Sequence, residues 1–227
     1  MTIRTLSVAG LSVAALAVAG AVAPAASAGR SPVTPSASGG AQASTASPTK
    51  LSTCVDQSDN DNGVGVVSQD FEATYDVYDS RGADDFKLKK TCQIKMVMVE
   101  GQYFNGSGPA TSENVTFYRD MAGVPGGVIS NQMGLMGADD GAGNFTIMLS
   151  SPVGLRAGTY WMSVQVNMDF DQGGEWGWNT NTRQRGNPAV WRNKGDGFGT
   201  GCVHYTNLAQ CIEAGQGPDD SFMLHGS

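Results

Sequence analysis

Charge is what this chain has least of. Only 15% of its 227 residues are Asp, Glu, Lys or Arg, and the formal net charge is −7. Nucleic-acid binding needs clustered Lys and Arg to displace counterions, so that function class is not expected. Histidine is nearly absent too, with only His204 and His225. No G-x-S-x-G or H-E-x-x-H motif occurs, so neither histidine stands where a nucleophile would need a base. No cofactor motif is found, and the expectation is a non-catalytic protein without a cofactor. After residue 28 no apolar run approaches the roughly 20 residues of a membrane span.

The one long apolar run lies at the start. Arg4 precedes the Ala-rich stretch Leu6–Val22, and Ala26-Ser27-Ala28 is a small-x-small cleavage site. Residues 1–28 therefore read as a secretory signal peptide, and the mature chain as secreted and extracellular. Residues 29–53 are Ser, Thr, Pro, Ala and Gly with almost no large apolar side chain. Such a segment cannot bury enough surface to offset its ordering entropy, so it reads as a disordered linker. Residues 54–227 suit one domain with one substantial core. Their surface must be built largely from Asn, Gln, Ser, Thr and Gly, which suits neutral polar ligands.

Four cysteines remain: Cys54, Cys92, Cys202 and Cys211. An even count in an exported chain points to two disulfides, in any of three pairings. Cys54–Cys92 with Cys202–Cys211 is preferred, because each bridge then joins neighbouring segments. Zinc is the competing use, but Cys202, His204, Cys211 and His225 fit no usual zinc spacing. The acidic stretch Asp56–Gly63 carries oxygen ligands that suit calcium, yet it misses the D-x-[DN]-x-[DN]-G spacing and reads as an Asx-rich loop. No metal is expected.

Hydrophobic periodicity gives the fold. Tyr160, Met162, Val164, Val166, Met168 and Phe170 alternate with Thr159, Ser163, Gln165, Asn167 and Asp169, with Trp161 the exception. This is the pattern of a long, half-buried antiparallel strand. Further strands are expected over 68–79, 83–88, 91–104, 113–119, 128–136, 144–150 and 221–225. Residues 96–99 carry apolar side chains on both faces, which implies two-sided burial. Gly, Pro, Asn and Asp turns separate these segments, and no helix-period stretch follows the leader. Eight to ten short strands in this arrangement imply an all-β fold, an antiparallel β-sandwich of jelly-roll-like type.

Several segments then occur in a familiar order: ADDF (83–86), YFNGSGPATSENVTFYRD (103–120), GVPGGV (123–128), LRAGTYWMSVQVNM (155–168), EWGWNTNT (175–182), GNPAVWRN (186–193) and GFGTGC (197–202). Together they resemble a β-sandwich module of bacterial exported proteins. That module stands alone after a signal peptide or is appended to secreted proteins such as subtilisin-like proteases. The resemblance implies export and the β fold and carries no activity. Cys202 and Cys211 match the module's usual cysteine pair, while Cys92 departs from its pattern.

For function, the aromatics are the better lead. Trp176, Trp178 and Trp191 sit among Asn179, Arg183 and other amides. Exposed rings beside amides can stack on a sugar and bind its hydroxyls. Buried rings would instead be core. The expectation is a secreted binding module for an extracellular glycan or other cell-surface component. The alternative is a structural or protein-interaction module. A hydrolase using carboxylates such as Asp169, Asp171 and Glu175 ranks third.

Overall fold

The computed structural model describes residues 50–212 and 215–227. The expected signal peptide, and the expected linker up to residue 49, lie outside the described residues. In chain order the strands are β1 (Ser52–Asp56), β2 (Asp61–Val67), β3 (Gln69–Asp70), β4 (Ser80–Leu88), β5 (Cys92–Val99), β6 (Gly101–Phe104), β7 (Ser112–Asp120), β8 (Pro125–Leu135), β9 (Ala138–Asp139), β10 (Phe145–Leu155), β11 (Gly158–Asn167), β12 (Glu175–Asn181), β13 (Val190–Asn193), β14 (Thr206–Asn207), β15 (Asp219–Asp220) and β16 (Phe222–Gly226).

They form three sheets. The first runs β1-β16-β5-β10-β9 and the second β14-β13-β4-β11-β7-β8. The third runs β15-β12-β2, with β6 also paired to β12. Every pairing is antiparallel except the short β3–β11 contact. The all-β sandwich expected from the periodicity is the fold of the domain. Val97, Val99, Ile147, Phe222 and Leu224 of the first sheet share one core with Phe86, Phe117, Met162, Val164 and Val166 of the second. Phe86 and Phe222 meet edge to face, 6.4 Å apart, across the two layers. Both disulfides form in the preferred pairing, Cys54–Cys92 and Cys202–Cys211.

Three local expectations change. The long strand is not one-sided: Ser163 and Gln165 are buried along with Val164 and Val166. The face read as wet lies under β13 and the loops around it. Its polar groups are satisfied there. Gln165 Nε2 donates to the Ser80 carbonyl at 3.0 Å, Arg81 Nη2 donates to Gln165 Oε1, and Trp161 Nε1 donates to Asp120 Oδ1 at 2.9 Å. Segment 68–79 is extended only at Gln69–Asp70 and then coils into a 3-10 helix, Ala73–Tyr78. There Tyr75 and Tyr78 stack edge-on to Phe170 and Phe198 rather than on a sheet. Segment 91–104 breaks at Glu100 into β5 and β6, which belong to different sheets. Met96 and Met98 are half-buried, so the two-sided burial expected there holds only for Val97 and Val99 as core residues. The described residues hold sixteen strands, because several two-residue pairings carry no periodic signal.

A direct consequence concerns neighbouring positions of β11. Val164→Asp should abolish folding by placing a charge in the apolar core. Gln165→Ala should cost about 1–3 kcal/mol in chemical denaturation, because it leaves Arg81 and the Ser80 carbonyl without a buried partner. A Gln165→Ala variant as stable as the parent would show that this polar layer contributes nothing.

Candidate functional site

The three tryptophans do not form a surface platform. Trp176, Trp178 and Trp191 are 0%, 1% and 1% exposed. Strand β12 points Trp176 and Trp178 into the main core, as their i, i+2 spacing requires. Phe145 lies 5.7 Å from the first and Phe222 6.0 Å from the second. Trp191 belongs to a smaller cluster with Val66, Leu208 and the Cys202–Cys211 bridge. Each indole N–H is satisfied inside the protein: Trp176 on the Gly143 carbonyl at 2.8 Å, Trp178 on Ser221 at 2.9 Å and Trp191 on Val67 at 2.7 Å. Even the approach is tight. A Cβ at Gly101 would lie 2.5 Å from Trp176 Nε1. Asn179 is also buried, donating to Asp61 and accepting from Gln102. Of the five residues expected to contact a ligand, only Arg183 is on the surface, in an exposed ion pair with Asp59 at 3.5 Å. Such pairs add little. The amide-rich setting of the rings turns out to be internal hydrogen bonding.

A large concavity lies elsewhere, in a half-open groove of about 1060 Å³ beside β1. Ser52–Gln57, the β4–β5 turn with Lys89 and Lys90, and the 185–187 loop form its walls. Lys87, Lys89, Lys90 and Thr91 are exposed there. One signal for it was visible in the sequence, the K-L-K-K run of residues 87–90, which stands out in an acidic chain. Asp85 also reaches the groove, but its Oδ2 accepts from the backbone N–H of Asn187 at 3.1 Å and from its Nδ2 at 2.6 Å. Gly186 makes this close approach feasible. Its φ is +91°, and a Cβ there would fall 2.2 Å from Asp85 Oδ1. Burial raises the pKa of Asp85. Asp56, on the opposite wall, is held low by the Ser58 backbone N–H. With Asp85 covered and doubly bonded, the pair does not present an accessible acid and base.

Behind the groove, carboxylates gather from two Asp-Asp dipeptides. Asp84, Asp85, Asp219 and Asp220 are all buried. Asp84 Oδ2 accepts from Gln57 Nε2 at 3.3 Å and from the Asp220 N–H at 2.9 Å. Asp219 Oδ2 accepts from the Arg185 N–H, while its Oδ1 has no partner among the described residues. Burial pushes Asp219 up to about 7 and raises Asp84 and Asp220 well above the ordinary carboxylate range. Among the described residues, no group of three or more His, Cys, Asp and Glu side chains is placed to hold a metal ion. The Asx-rich loop closes on itself: Asp61 Oδ1 accepts from the Gly63 N–H and Asn62 Oδ1 from the Val64 N–H. No protein-family model matches the chain, and no curated protein matches it.

Two outcomes follow. Trp178→Ala should cost about 3–5 kcal/mol of stability by leaving a core cavity, read by thermal or chemical denaturation. The buried aspartates set a pH dependence. Their folded pKa values lie above those of the unfolded chain, so their stabilisation is complete below about pH 4 and is lost as pH rises through about 7. Asp56 and Asp140, held low in the fold, act in the opposite sense and only at strongly acid pH. The denaturation midpoint should therefore fall as pH rises from about 5.5 to 8.5. Asp219→Asn should flatten that decline.

Proposed function

We propose that this protein is a secreted, non-catalytic β-sandwich module that holds a polar extracellular ligand in the groove beside β1. The ligand class is a glycan or other cell-surface component bearing anionic groups. The groove itself is the supporting observation: it is a concavity of about 1060 Å³, and exposed Lys87, Lys89 and Lys90 edge it in a chain of net charge −7. Backbone groups, hydroxyls and the Asn187 amide complete a lining suited to polar recognition. Export is part of the proposal. It rests on the N-terminal leader and cleavage site, and on the resemblance to the exported bacterial module. The two disulfides are compatible with it. No helix of the described residues is long and apolar enough to cross a membrane.

A second reading, a structural or protein-interaction module without a small ligand, draws on the burial of Trp176, Trp178 and Trp191. A glycan array probed with the secreted protein separates the two. Under the first reading, acidic glycans bind, and the double variant Lys89→Glu, Lys90→Glu weakens binding by about tenfold or more with an unchanged melting temperature. Absence of binding to every acidic and neutral glycan would leave the scaffold reading.

A further inference from the structure

The outer face of the first sheet carries an unusual set of side chains. Val97, Val99, Phe222, Leu224 and Ile147 fill the core from β5, β16 and β10. The residues between them must therefore point outward. On β5 these are Met96 and Met98, on β16 Met223 and His225, and on β10 Met148. The register sets them side by side. His225 pairs with Met96, and Met96 with Met148; Met223 pairs with Met98 in the adjacent row. Four of the ten methionines of the chain thus share one sheet face with one of its two histidines. Met148 is 55% exposed, and the other four are half-buried.

The histidine is oriented for use. Its Nδ1 lies 3.4 Å from Thr53 Oγ1 on β1, while its Nε2 is buried and has no hydrogen-bond partner among the described residues. A partner on one ring nitrogen and a free second nitrogen is the arrangement of a metal-ligating imidazole. On the β5 side the register partner of that histidine is Met96, whose thioether offers no strong hydrogen bond. Directly paired residues have Cβ atoms about 4.5–5.5 Å apart. Three flexible torsions per methionine let neighbouring sulfurs converge on one point. Met98 and Met223 also line a cleft of about 410 Å³, flanked by Asp61, Glu100 and Asp140, that opens this corner of the sheet to solvent.

We propose that Met96, Met98, Met223 and His225 form a binding site for a soft monovalent metal ion, Cu(I) or Ag(I). Neutral thioethers and an imidazole bind hard divalent cations poorly and favour soft d¹⁰ ions. Nearby carboxylates would raise the local concentration of a cation without ligating it. All four cysteines are bridged, so no thiol competes for the ion. The site is independent of the polar groove and stands whether or not that groove binds a glycan.

Silver(I) nitrate is the probe, since it needs no reductant and leaves the disulfides intact. The intact protein is titrated while methionine methyl and histidine ring resonances are followed by NMR. One equivalent should shift Met96, Met98, Met223 and His225 and leave the exposed Met121, Met133 and Met136 unmoved. The near-isosteric double variant Met96→Leu, Met98→Leu should retain the fold and weaken silver binding at least about tenfold. His225→Gln should also weaken it. Equal shifts at all exposed methionines, or undiminished affinity in the double variant, would overturn the proposal. A double variant that fails to fold leaves the residue-by-residue titration of the parent protein to decide.

Discussion

Burial of β11 on both faces is the constraint on which the rest of the domain depends. A strand covered on one side can leave its polar side chains to water. β11 cannot, so each must find a partner within the fold. Arg81, Ser80, Tyr118 and Asp120 supply those partners. Ser68 closes the gap where the β4–β11 ladder stops, donating its hydroxyl to the Val164 carbonyl at 2.5 Å and accepting from the Gly82 N–H at 3.0 Å. The second layer is therefore polar yet dry. Such a layer specifies register more strictly than an apolar one, because a one-residue slip would strand every donor.

The same requirement accounts for the indoles and the carboxylates. Tryptophan offers bulk with one donor, and Trp176, Trp178 and Trp191 each find a carbonyl on another segment. The rings thereby tie the third sheet to the other two. Aspartate offers acceptors only. Asp84 collects the N–H of Asp220 in the short strand β15, and Asp85 collects that of Asn187 in irregular backbone. Their cost is desolvation of charge, which the raised pKa values express.

The fold class was legible because period-two alternation survives in β7, β10 and β11, and turn residues separate them. The disulfide pairing was legible from proximity in sequence. What alternation could not reveal was the second cover over β11. That cover comes from β13 and the loop beyond it, which carry little pattern of their own. The tryptophans were ambiguous for the same reason: an indole among amides looks alike on a surface and in a hydrogen-bonded interior. The two Asp-Asp dipeptides were the missed signal. Adjacent strand residues face opposite ways, so a pair of acids just before a core phenylalanine already implied that at least one was buried. Nothing in the spacing of Met96, Met98, Met223 and His225 announced their meeting, since β5 and β16 lie over 120 residues apart in the chain.

That distance has a consequence for how the molecule is made. β16 occupies an interior place in the first sheet, between β1 and β5. Until residue 226 has been synthesised, β5 offers an open edge and β1 has no ladder at all. The first sheet therefore cannot close until β16 has been made, and that strand is its keystone. The Cys54–Cys92 bridge then spans the two strands that flank the keystone and clasps the gap once it has been filled.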